Sequence, residues 1–99
     1  YSRMALVRLD AVDEAMALEA ATRLANAARR AGPKTGELDV LGPAPAPIAR
    51  VRGRFRFRVM LRAKDRKILR AGLLAVVALT DDLPRGIRMI VDVDPVQLL

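Results

Sequence analysis

Residues 50–62 read RVRGRFRFRVMLR, with arginine at positions 50, 52, 54, 56, 58 and 62 and Val51, Phe55, Phe57, Val59 and Leu61 between them. An alternation of period two is the signature of a β-strand that turns arginines to one face and hydrophobes to the other. The apolar face must be covered by other elements, so a sheet with one packed side is required. The charged face is left for water or for an anion. Residues 50–70 hold ten Lys/Arg against one acid, Asp65, whereas the rest of this chain of formal charge +7 is mildly acidic. A basic block on an otherwise acidic domain is the electrostatic footprint of a polyanion binder.

Ninety-nine residues suffice for one hydrophobic core and no more, so residues 1–99 are expected to form a single domain. The chain has no cysteine and no histidine. Disulfides, thiol nucleophiles, Cys/His zinc sites and imidazole acid/base chemistry are thereby excluded, and an enzyme is disfavoured. The longest apolar run, residues 73–79, is far short of the roughly 20 residues of a membrane span, and no signal-peptide core opens the chain. These features predict a soluble, intracellular protein without membrane contact. A start at Tyr1 reads as a piece of something longer.

Along the chain, Met4–Leu9 suits a buried first strand, and Asp10 or Asp13 can cap the helix that follows. Residues 14–31 are alanine-rich, and Ala17, Ala20, Ala21, Leu24, Ala25 and Ala28 fall on one helical stripe that allows close approach to a sheet. Arg29 and Arg30 suit its carboxyl end, and Gly32-Pro33 stops it. Glu37–Leu41 is a short second strand. Residues 42–47, GPAPAP, read as a polyproline-like spacer, because prolines donate nothing to a ladder. The arginine strand is expected over Ile48–Ala63, with Gly53 marking a bulge or a close approach. Asp65 caps a second helix from Arg66 to about Thr80, with Ile68, Leu69, Leu73, Val76 and Val77 toward the sheet and Arg66, Lys67 and Arg70 away from it. Ile87–Val93 is the last strand. The order β-α-β-β-α-β predicts an α+β, ferredoxin-like split βαβ fold: a four-stranded antiparallel sheet with two helices on one face.

The even-numbered arginines then share an open sheet face or an edge. A solvated face or a charged anti-aggregation edge is the plain alternative, but lysine is the usual choice there, and forked arginines favour phosphate. Candidate nucleic-acid contacts are Arg50, Arg52, Arg54, Arg56, Arg58 and Arg62, extended by Lys64 and Arg70. Arg66 and Lys67 stand at the positive end of the second helix, where cations are unfavourable by up to about 1 kcal/mol each. With Lys64 and free helix N–H groups they make an anion pocket suited to a phosphate or an acidic peptide; a mildly unfavourable surface helix is the alternative. Asp92 and Asp94 share a strand face and can in principle chelate a divalent ion, though a charged strand end before Pro95 is the commoner explanation. Phe55 and Phe57 fall on the core side, so base stacking on aromatics is not expected, and binding should be backbone-directed and salt-dependent.

LGPAPAP at 41–47, then RGRFRF at 52–57, then a helix, then DVDP at 92–95 form an ordered set. In this order and spacing the chain resembles, over nearly its whole length, the C-terminal domain of the PriA family of primosomal replication-restart helicases. The resemblance implies a fold like a small-subunit ribosomal protein, packing near a helicase core, and help in binding forked or single-stranded DNA. It implies a bacterial, cytoplasmic, nucleoid-associated parent that is an ATP-dependent 3′-to-5′ DNA helicase using ATP, magnesium and zinc. No GxxxxGK[ST], zinc cysteine or helicase motif lies in these residues, so no cofactor is expected here. Implied partners are DNA, the single-stranded-DNA-binding protein and other primosome proteins. The family's contact with the acidic tail of that binding protein uses a basic residue at the start of the second helix, which corresponds here to Arg66. Phe57 stands where many members carry tryptophan.

Two functional classes remain from the sequence. One is a monomeric, non-catalytic DNA-binding domain, for which about five neutralised phosphates give a log K against log[salt] slope near −4.5. The other is a protein-interaction module docking on the helicase core and on an acidic tail. A small acylphosphatase-like enzyme of the same fold class needs a basic phosphate loop after the first strand, and residues 9–13, LDAVD, are acidic.

Overall fold

The structure, a computed structural model, describes residues 2–93. Its elements are β1 (Arg3–Ala11), α1 (Glu14–Ala31), β2 (Leu38–Val51), β3 (Arg54–Ala63), α2 (Arg66–Ala78), a short 3-10 turn (Thr80–Asp82) and β4 (Arg88–Val93). The four strands form one sheet in the order β2-β3-β1-β4, and every neighbouring pair is antiparallel. This is the ferredoxin-like α+β arrangement read from the sequence.

The core is made by alternation. Ala5, Val7, Leu9 and Ala11 of β1 and Phe57, Val59, Leu61 and Ala63 of β3 are buried, and they meet the expected stripe of α1 together with Leu69 and Val76 of α2. The alanines of α1 let the helix axis approach the sheet closely, so little bulk is needed to fill the gap. Asp13 caps α1, accepting a 3.0 Å bond from the Met16 amide. On α2, Val77 is half exposed rather than sheet-facing. Gly72 takes the inward place: a β-carbon there would lie 2.9 Å from Leu61 Cδ2 and 3.0 Å from Leu38 Cδ2. Helix α2 also ends at Ala78, before the 3-10 turn.

Two expectations about the middle of the chain are corrected. Residues 42–47 are not a spacer but part of β2, which pairs with β3 from Leu38↔Ala63 to Val51↔Arg54 with register breaks after Leu41 and after Pro45. Prolines at 43, 45 and 47 are tolerated because β2 is an edge strand, where a missing donor breaks no ladder if it faces outward. The long arginine strand is likewise two strands. Arg52 and Gly53, at φ 52° and 77°, form the two-residue turn of a β2–β3 hairpin, so Gly53 is a turn residue rather than a bulge. The first of the two irregularities lies at Gly42, at φ +109°, where a β-carbon would stand 2.7 Å from the Arg58 carbonyl oxygen. Arg29 of α1 fastens this bend, donating to the Val40 carbonyl at 3.2 Å and the Gly42 carbonyl at 2.9 Å.

Candidate nucleic-acid interface

The two helices cover one face of the sheet and the other is open. From the register, the open face carries cross-strand rows running β2, β3, β1, β4. The first is Asp39, Arg62, Met4; the next is Leu41, Met60, Leu6, Asp92. Ala44, Arg58, Arg8 and Ile90 follow, and then Arg56, Asp10 and Arg88, with Val51 and Arg54 at the hairpin end. Among the described residues, six arginines thus share this face with three aspartates.

The aspartates decide which arginines are available. Asp10, on the central strand β1 near the hairpin end of the face, is bonded by Arg54 Nε and, at 3.0 Å, by Arg88 Nε. Arg54 also donates to the carbonyls of Asp10 (3.1 Å) and Gly86 (2.6 Å). With side-chain exposures of 19% for Arg54 and 20% for Asp10, this is the most enclosed ion pair of the face. Burial alone raises the Asp10 carboxyl, but the bonds and charges of Arg54 and Arg88 outweigh it and hold its pKa below the ordinary value. Arg62 is taken by Asp39 through Nε at 3.2 Å and a terminal nitrogen at 3.1 Å. Arg8 reaches Asp92 through one terminal nitrogen at 3.3 Å, and its Nε is buried without a bond.

Arg56 and Arg58 remain. They lie two residues apart on β3, next to the sheet centre, and among the described residues neither has a carboxylate partner. Arg56 stands directly across from Asp10 on β3, yet the carboxylate bonds Arg88, directly across on β4, and the diagonal neighbour Arg54. Arg58 stands directly across from Arg8, a like-charge pairing in which Asp92 meets the charge of Arg8 and no carboxylate meets that of Arg58 among the described residues. At the hairpin tip Arg52 is exposed in a positive-φ conformation that favours glycine or asparagine. A groove of about 520 Å³ at this end of the sheet is lined by Arg52, Arg54, Arg56 and Arg88 around Asp10.

The remaining candidates lie elsewhere. Arg50 pairs with Phe55, a residue packed on the core side, and its guanidinium sits 5.1 Å from the ring centroid, so it does not join the open face. Arg66, Lys67 and Arg70 are exposed on α2, whose first turn has no acidic residue. The helix start is not bare, because the Asp65 carboxylate accepts the Lys67 amide at 2.7 Å. Lys64 lines a depression of about 370 Å³ with Arg62 and the acids Glu37, Asp39 and Asp65, and Arg66 and Lys67 do not line it. Asp94, the second residue of the weighed metal pair, lies outside the described residues. No group of three or more acidic side chains that could hold a metal occurs among the described residues. No described helix is long and apolar enough to cross a membrane.

Sequence reasoning missed the internal neutralisation of Arg8, Arg54 and Arg62 by aspartates from three other strands. The signal was present in part: Asp10, Asp39 and Asp92 all sit in strand segments at positions alternating with hydrophobes.

The family described as the primosomal protein N C-terminal domain matches residues 1–96. The chain is 38% identical over 95 residues to the probable replication restart protein PriA of Deinococcus radiodurans, a match that covers 96% of this chain and 10% of that protein. Among solved structures, the de novo designed protein Foldit4 is similar with a TM-score of 0.70 at 12% identity, covering 94% of this chain and 96% of that one. A de novo designed ferredoxin-fold protein has a TM-score of 0.59 at 15% identity, covering 94% and 84%. A hydantoinase/carbamoylase family amidase from Burkholderia ambifaria has a TM-score of 0.56 at 19% identity, covering 93% of this chain and 27% of that one. At such identities these structures share the fold and nothing more.

Proposed function

This chain belongs to the family of primosomal protein N C-terminal domains, and on that premise we propose that it is a non-catalytic DNA-binding domain of a replication-restart protein, holding the backbone of forked or single-stranded DNA with Arg52, Arg56 and Arg58. The observation that carries this reading is the Arg56–Arg58 pair, which among the described residues is left without carboxylates in a face where every other arginine has one. Forked guanidinium groups match phosphate oxygens in a way that ammonium groups do not. Three available arginines, rather than the five phosphate contacts expected from sequence, give a log K against log[salt] slope near −2.7 on duplex arms. Arg54, Arg62 and Arg8 serve to hold the face rather than the ligand. Catalysis is assigned to other parts of the larger protein, since this chain has neither histidine nor cysteine. The test is fork binding by the chain across a salt series, with Arg56→Ala/Arg58→Ala alongside. The double variant should flatten the slope by about 1.8; a wild-type slope near zero, or one that the double variant leaves unchanged, refutes the reading.

A second surface supports protein binding. Arg66 and Lys67 occupy the first turn of α2 against the helix dipole, exposed and without a side-chain partner among the described residues. We assign them to an acidic segment such as the tail of the single-stranded-DNA-binding protein. Arg66→Glu should abolish binding of an acidic tail peptide and leave fork binding nearly unchanged, whereas equal loss of both refutes two separate sites.

A further inference from the structure

The open face has an apolar part that phosphate binding does not use. Next to Arg58, a slot of about 220 Å³ is floored by Met4, Leu6 and Met60, with Arg58 on one side and Asp92 on the other. Met60, Leu6 and Asp92 stand in one cross-strand row, and Arg58 is one row away on β3. With strands about 4.8 Å apart and rows about 6.7 Å apart, Arg58 and Asp92 are separated by roughly 12 Å across the slot. Only one Asp92 oxygen is used by Arg8, so the other is available to a donor. We propose that this slot seats one unpaired nucleotide, with the base over the Met60–Leu6 floor, its phosphate on Arg58 and its N–H edge toward Asp92.

The opposite charges at the two ends select this occupant. A nucleotide has an anionic end, apolar faces and, on every base, an edge with N–H donors, which a carboxylate accepts. An acidic peptide matches Arg58 but is repelled by Asp92. A base inside a duplex keeps its faces stacked, so only an unpaired one can lie on the slot. The two methionines substitute for the missing aromatic platform, since thioether sulfur makes favourable contacts with ring systems and adapts its shape. This inference rests on the DNA-binding reading and adds to it a preference for forks with an unpaired strand.

The experiment compares three probes with the same duplex part: blunt, with a single-stranded tail, and with a tail of abasic residues that keeps the phosphates and lacks the bases. The wild-type chain should bind the normal tail about tenfold more tightly than the abasic one. Met60→Ala should remove that difference and leave blunt-duplex affinity unchanged. Leu6→Thr, also on the solvent face, repeats the test in a second background. Arg58→Ala should weaken all three probes. Equal binding of normal and abasic tails by the wild type, or a difference that survives in both variants, overturns the nucleotide seat while leaving phosphate binding intact. Absence of binding to every probe overturns both. If an acidic peptide displaces only the base-dependent part of the binding and itself fails to bind Met60→Ala, the slot belongs to protein and the proposal falls.

Discussion

Replacing Asp10 by asparagine should make this domain less stable and a better DNA binder at the same time. The carboxylate lies on the open face toward its hairpin end and neutralises two arginines, Arg54 and Arg88. Asparagine has nearly the same shape and can still accept one bond, so the change removes charge rather than packing. Breaking a fully buried ion pair costs 3–5 kcal/mol, and a surface pair under about 1 kcal/mol. The Arg54–Asp10 pair is four-fifths buried and Arg88 is mostly exposed, with 65% of its side chain accessible. An intermediate loss of about 2 kcal/mol follows, read from urea unfolding as a lower midpoint at unchanged m-value. In binding, Arg54 and Arg88 join Arg52, Arg56 and Arg58, so the salt slope should steepen from about −2.7 to as much as −4.5. Fluorescence anisotropy on a labelled fork at several salt concentrations reads both slope and affinity. A slope that stays at the wild-type value, or an affinity that falls with stability, would refute the claim that the aspartates set how many arginines are available.

Acid should weaken the fold through the same residue. The folded-state pKa of Asp10 is depressed, so its stabilisation is complete above the unfolded value of about 3.9 and is lost as pH falls through the lower folded value. Thermal melts of the wild type should therefore drop more steeply below about pH 4 than those of Asp10→Asn. Gly42→Ala places a β-carbon 2.7 Å from the Arg58 carbonyl in a backbone conformation closed to L-residues, and should lower stability by about 3 kcal/mol, a fall of more than 10 °C in Tm; a Tm within 3 °C of wild type would be incompatible with the β2 bend. Arg52→Asn should do the reverse, raising stability by about 1 kcal/mol because asparagine suits the first position of this turn, while lowering DNA affinity and flattening the slope by about 0.9. Loss of stability in that variant would show that Arg52 is held by contacts rather than strained.

What was legible in the sequence was whatever depends on local periodicity. The alanine stripe of α1 and the odd-even split of β3 are period signals, and they placed the core correctly from Ala17 to Ala28 and from Phe57 to Ala63. What failed depended on topology. Pro43, Pro45 and Pro47 are strand-compatible only on an edge, and the sequence does not say which strand lies outermost. RGRF continues the arginine alternation without interruption, so the positive-φ turn at Arg52-Gly53 is invisible to a period count. The same holds for charge: Asp10 and Arg54 are 44 residues apart, and only the β1–β3 register brings them together.

The split of the arginine run between two strands changes what that run is for. In one long strand, six arginines would have faced a polyanion as an undifferentiated ladder. Folded at Arg52-Gly53, the run places Arg50 on Phe55, Arg52 at an exposed tip, and Arg54 and Arg62 against aspartates. Among the described residues, Arg56 and Arg58 alone remain in mid-strand without a carboxylate, beside the apolar row of Met60 and Leu6. Unneutralised like charges on one strand repel, and the fold tolerates the pair although Asp10 is directly opposite Arg56. The bonds of Asp10 to Arg88, directly across on β4, and to Arg54, diagonal on β3, leave Arg56 and Arg58 open to an outside anion.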